Sequence, residues 1–144
     1  MSSHLFVYGT LRSDCGAVYG ALLNTHFVLC GSARVRGELF EIAGYPGLHA
    51  SEVENAGWVI GELYRLTGSF SAFDVLDDYE GCSPRHASPH EYSRRVLPVQ
   101  FGEEVVEAYV YCYEGEVDPG KYIASGDYRE FLKNQKIRVS PASR

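Results

Sequence analysis

The sequence has no excess of positive charge, no long apolar run and little sulfur. Its 13 Lys and Arg stand against 19 Asp and Glu, a formal net charge of -6. Binding nucleic-acid phosphates needs clustered Lys and Arg, so a nucleic-acid partner is not expected. No stretch is long enough to span a bilayer, and the opening "MSSHLFVYG" lacks a basic n-region. Neither membrane insertion nor a signal peptide is therefore expected, and the cytoplasm is the expected location. The 4 cysteines, Cys15, Cys30, Cys82 and Cys112, form no C-x-x-C pair, and no histidine pair has finger spacing. A metal site is not expected, and in a reducing compartment these read as free, partly buried thiols. None has a recognisable activating partner that would make it a nucleophile. There is no G-x-S-x-G elbow, and "GTLRSDCG" lacks the G-K-[ST] of a phosphate-binding Walker loop.

What is present reads as one globular domain over residues 1–144, without a linker or low-complexity run. β-branched and aromatic residues predict a strand over 5–8, ending in the glycine turn of "FVYGTLR". "DCGAVYGALL" (14–23) suggests a short helix weakened by two glycines, and 27–30 a short strand. "VRGELFEI" (35–42) and "VIGELYRL" (59–66) align without gaps, as two related strands of one sheet. The "AGYPGL" between them (43–48) reads as a turn from its Gly and Pro. Residues 69–80 form the best helix, capped by Ser69 or Ser71 and stopped by Gly81. "CSPRHASPH" (82–90) is a loop, so His86 and His90 do not share a helix face. Residues 92–101 and 105–113 read as strands joined by a tight turn, with Pro98 at an edge or a bulge. A short terminal helix is expected in "SGDYREFLK" (125–133), followed by a frayed end. Many strands with one convincing central helix predict an α+β domain around a curved or barrel-like sheet.

One acid stands out on that helix. At about 100° per residue, with Phe73 as origin, Leu76, Ala72 and Tyr79 fall near about 300°, 260° and 240°. Asp74 and Asp78 fall on the opposite side, where solvated acids belong. Glu80 falls near about 340°, within the apolar arc. An inward carboxyl is raised in pKa by burial, by the negative helix C-terminus and by nearby Asp77, which suits a general acid/base. The alternatives are that the helix ends at Tyr79 and Glu80 turns to solvent, or that Arg94 or Arg95 neutralises it. The glycine turn, for its part, offers backbone N–H groups to a small anion.

"FVYGTLR", "YPGL", "LDDYEG", "EYSRRVL", "AYVYCY" and "SGDYREFL" occur in that order. In this the chain resembles the gamma-glutamylcyclotransferase-like family over roughly residues 5 to 132, and is similar to its gamma-glutamylamine branch around "LDDYEGC". The resemblance implies a small mixed α+β domain around a β-barrel. It implies a cofactor-free reaction, in which the substrate's own α-amine attacks its γ-glutamyl amide to release 5-oxoproline and a free amine. Carried over by position, it makes Glu80 the proton-transfer residue and Tyr8, Gly9, Thr10 and Leu11 the loop that holds the glutamyl group. Tyr45 and Pro46 are expected to wall the pocket, and Tyr111 to line it from its strand. The expected partner is a small γ-glutamyl molecule. A nucleophile supplied by the substrate accounts for the missing Ser, Cys or His constellation. The alternative from another class is a non-catalytic small-ligand-binding or interaction module on the same fold.

Overall fold

A computed structural model of the chain describes residues 3–9, 21, 23–42, 45–51, 56–79 and 91–134. Its elements are β1 (His4–Val7), β2 (Phe27–Glu41), β3 (Pro46–Ala50), β4 (Trp58–Leu66), α1 (Ser71–Tyr79), β5 (Tyr92–Phe101), β6 (Glu104–Tyr113) and a 3-10 turn, Pro119–Lys121. Residues 128–134 are helical. Five strands run side by side as β2-β4-β1-β6-β5. The sheet then closes on itself where Arg34 and Val35 of β2 pair with Gln100 and Val99 of β5. β3 forms an antiparallel hairpin on the far half of β2, and β1 and β6 run parallel. The chain is therefore an α+β protein built on a closed β-barrel, as expected.

Alternation along the strands makes two apolar layers. Phe6, Val35, Leu39, Val59, Leu63, Val99 and Val110 fill the barrel. Leu5, Val7, Phe27, Tyr92 and Tyr111 point outward and are covered by Ala72, Phe73 and Leu76 of α1. The apolar arc read from the sequence is thus the face that α1 buries, while Asp74 is exposed. Ser69 is the cap, its Oγ accepting from the Ser71 N–H at 3.2 Å.

Two expectations are corrected. Residues 27–30 are no separate strand but the start of the 15-residue β2. A register shift between Leu29 and Gly31 breaks the alternation there, which hides the continuity. The expected turn at 43–48 is also too long, because Pro46–Ala50 is a strand. Pro46 opens that strand, where its missing N–H costs nothing, and Leu48 is fully buried opposite Leu39. The two echoing segments do lie in neighbouring strands, their first residues Val35 and Val59 paired antiparallel. Pro98 pairs with Glu107, and β2 meets the other side of β5 only at Val99 and Gln100, so the proline sits on open edge without a bulge.

The four thiols divide. Cys30 is exposed and Cys112 is buried, both free; Cys15 and Cys82 lie outside the described residues. Burial pushes the Cys112 thiol up to about 12. No helix among the described residues is long and apolar enough to cross a membrane.

Candidate active site

β1 is short, and its end is where the candidate residues gather. Tyr8 turns inward after Phe6, and its hydroxyl donates to the Tyr111 carbonyl at 2.6 Å. The same hydroxyl accepts from the Leu48 N–H at 3.2 Å. One side chain thereby ties β1 to β6 and β3. At Gly9 a β-carbon would stand 2.5 Å from Cγ of Pro46, so only glycine lets the turn approach that ring. Pro46 is held from the other side, its carbonyl accepting from the Tyr92 hydroxyl at 2.7 Å. Tyr45 lies beside Tyr92, ring centroids 6.3 Å apart, and donates to the Glu91 carboxylate at 2.7 Å. Tyr8, Gly9, Tyr45, Pro46 and Tyr111 are therefore brought together. Thr10, Leu11 and Glu80 lie outside the described residues.

The side chain of Tyr111 reaches the opposite way, to α1. Its hydroxyl donates to Oδ1 of Asp77 at 2.7 Å. Arg94 donates to both oxygens of Asp77, from Nε at 2.8 Å and from a terminal nitrogen at 3.1 Å. The guanidinium also lies over the rings of Tyr109 and Phe73, 4.5 Å and 5.0 Å from their centroids. Burial works against the charged Arg94, but the Asp77 hydrogen bonds and charge outweigh it and hold its pKa up. Arg95 points to the other face of β5 and pairs with Glu114 at 2.8 Å. Both arginines that were alternatives for Glu80 are thus bound to other carboxylates, and the charge of Asp77 is answered by Arg94.

On the other side of β1 a cavity of about 200 Å³ opens, lined among others by Val7, Tyr8, Gly61, Glu62, Asp127 and Arg129. It lies where β1 leaves β4: Val7 opposite Glu62 is their last pair, and at Ile60 the N–H already donates to the Gly126 carbonyl instead, at 2.8 Å. A β-carbon on Gly61 would run into the Val7 carbonyl and come within 2.7 Å of the Phe6 ring. The cavity carries both signs of charge. Glu62 accepts from Arg129 at 3.1 Å and from the Tyr64 hydroxyl at 3.2 Å. Burial, with the charge and hydrogen bond of Glu62, pushes the Tyr64 hydroxyl up to about 12. Asp127 caps the final helix, accepting from the N–H groups of Arg129 and Glu130. Among the described residues no three His, Cys, Asp or Glu side chains cluster as a metal ion would require.

Comparison with known proteins gives this end of the barrel a context. The profile of the family "Gamma-glutamyl cyclotransferase, AIG2-like" matches residues 5–130. The chain belongs to this family. It is 30% identical over 130 residues to the gamma-glutamylcyclotransferase family protein YtfP of Escherichia coli K12, covering 86% of this chain and 94% of that one. Among solved structures, YkqA of Bacillus subtilis is 27% identical with a TM-score of 0.67, the match covering 94% of this chain and 43% of that one. An AIG2-like protein of Mus musculus shares the fold at 24% identity and a TM-score of 0.58, over 83% of this chain and 81% of that one. The cyclotransferase family match runs from Leu5 in β1 into the first turn of the final helix, so it includes every described residue of the candidate site.

Sequence reasoning missed Glu62 and Arg129, and it gave Arg94 a different partner: Glu80 rather than Asp77. A signal for Arg94 was present. Two consecutive arginines in a strand point to opposite faces, so one of Arg94 and Arg95 had to meet the helix. Nothing in the sequence pairs Glu62 with Arg129, which only the fold brings together.

Proposed function

We propose that this protein is a cofactor-free γ-glutamyl cyclotransferase. The substrate's α-amine attacks its own γ-carbonyl, the new C–N bond closes a five-membered ring, and the old C–N bond breaks. The products are 5-oxoproline and a free amine. Glu80 accepts the proton from the attacking nitrogen and returns one to the leaving nitrogen, a task for which one carboxyl suffices in turn. Binding does the rest, by folding the γ-glutamyl chain so that amine and carbonyl meet. The backbone of the turn at Gly9, with Thr10 and Leu11 after it, holds the glutamyl group and the developing oxyanion. Tyr45, Pro46 and Tyr111 wall the site.

The observation that carries this reading is the convergence of two chain segments in a member of this family. The turn after β1 is pressed on Pro46, and the last turns of α1, which lead in sequence to Glu80, are bonded to Tyr111 beside it. The test is 5-oxoproline release, followed by mass spectrometry, from a panel of γ-glutamyl dipeptides and γ-glutamylamines. Wild type is expected to release it, and Glu80→Gln to be slower by a factor of about 10²–10⁴, the usual worth of a general acid/base. Equal turnover by Glu80→Gln would remove Glu80 from the mechanism. Binding of γ-glutamyl compounds without any release would make the protein a binding module.

A further inference from the structure

A single hydrogen-bonded path crosses the candidate site. It starts at Asp77 in α1, runs to the Tyr111 hydroxyl, continues from the Tyr111 carbonyl to the Tyr8 hydroxyl, and ends at the Leu48 N–H. Four elements are joined by it: α1, β6, β1 and β3. Arg94 of β5 makes the fifth, gripping both oxygens of Asp77. The side chains of Arg94 and Asp77 are only 24% and 15% exposed.

Stability alone does not explain such an arrangement. A largely desolvated ion pair is commonly no better than well-packed apolar residues of the same volume. The same helix already buries Ala72, Phe73 and Leu76, so another apolar contact was available to this fold. What a bidentate fork provides, and an apolar contact does not, is direction. The planar guanidinium lies against two aromatic faces, which fixes its own orientation before it meets Asp77. The fork then sets both the rotation and the height of the last turns of α1 against β5 and β6. Asp77 stands two residues before Tyr79, the last residue of α1, and three before Glu80.

We infer that Asp77 and Arg94 are positioning residues: their fork, with the Tyr111–Tyr8 path, sets how the end of α1 sits against β5 and β6 and the residues that close β1. The catalytic half of this statement rests on the proposed cyclotransferase reading; the geometric half does not. The orientation is lost when either charge is removed, while the barrel, whose core lies on the other side of the sheet, is not.

The experiment uses the full chain with Asp77→Asn, Arg94→Met and Arg94→Lys, read by two methods. Hydrogen–deuterium exchange is followed by peptide mass spectrometry. Asp77→Asn and Arg94→Met are expected to speed exchange at least tenfold in the peptides spanning 76–82 and 6–11, with the β2–β4 and β5–β6 ladders unchanged. Steady-state 5-oxoproline release is expected to show kcat lowered at least tenfold and KM moved less than threefold. Arg94→Lys, which keeps the charge but not the fork, is expected to fall between wild type and Arg94→Met in both readouts. Unchanged exchange in both peptides overturns the inference. So does uniform acceleration across the barrel, which would make the pair a general stabiliser, and so does wild-type kcat in Asp77→Asn. A wild type that releases no 5-oxoproline ends the cyclotransferase reading, while the exchange arm still decides whether the fork positions the helix.

Discussion

Gly9 shows what a single missing carbon does at this site. The nearest atom to its absent Cβ belongs to Pro46, whose ring cannot rotate away, and whose carbonyl is fixed by Tyr92. Gly9→Ala must therefore displace β3, or lift the turn off it. Overpacking of this kind costs about 1–3 kcal/mol. The expected outcome is an unfolding free energy lowered by that amount and, if the turn holds substrate as proposed, a kcat/KM for 5-oxoproline release that falls by more than the stability change. Loss of stability with full activity would show that the close approach serves packing only. Tyr8 makes the complementary point. Its hydroxyl bonds Tyr111 and Leu48, so it ties the end of β1 to β6 and β3.

At the scale of elements, α1 depends on its first turn as well as its last. Ser69 caps it by accepting from the Ser71 N–H, and the Ala72 N–H donates to the Ser69 carbonyl. Ser69→Ala is expected to destabilise the protein by about 1 kcal/mol, the usual worth of a cap, with an unchanged denaturant slope in urea unfolding. The helix, its cap and its buried face were legible in the sequence because they depend on periodicity and on one capping residue, both local. β5, β6 and the tight turn between them were legible for the same reason, with β6 beginning one residue earlier, at Glu104, and so was the kinship of the segments in β2 and β4. The opening of β3 was not. Pro46 and Gly47 carry the composition of a turn, and only the pairing of Leu48 with Leu39 makes them a strand. β2 was read in pieces because the irregularity at Leu29–Gly31 interrupts its alternation. Of the candidate residues, Tyr8, Gly9, Tyr45, Pro46 and Tyr111 were named from motif resemblance, and the fold brings them near one another. The Asp77–Arg94 fork and the Glu62–Arg129 pair were not legible, since each joins residues whose separation in sequence says nothing of their distance in space.

For the molecule as a whole, the barrel has one thin seam. β2 and β4 pair along nine positions from Phe27–Leu66 to Arg36–Trp58, and β5 and β6 along their entire lengths. β2 and β5 are joined at two positions only, Val35–Val99 and Arg34–Gln100. Val35 and Val99 are buried there, so apolar packing more than the ladder holds the barrel shut. In native-state hydrogen exchange, the amides of that seam are expected to open at a lower free energy than those in the middle of the β5–β6 ladder. Val99→Ala should widen this gap, lowering the seam's protection while the β5–β6 amides change only with global stability. Equal protection throughout would show that the barrel opens as one unit.

The parallel pairing of β1 with β6 carries a consequence for the order in which the protein is made. β1 is translated before both of the strands it pairs with: His4 meets Arg65 of β4, and Leu5 meets Tyr109 of β6. Until Tyr109 and Tyr111 have emerged, the nascent β1 has one flank bare, and the hydroxyl of Tyr8 lacks the carbonyl it donates to. Pairing between such distant segments is slow to form. β1 thus waits for strands made after it and is among the last elements to be seated, and a chain truncated before β6 leaves Tyr8 without the carbonyl that holds it.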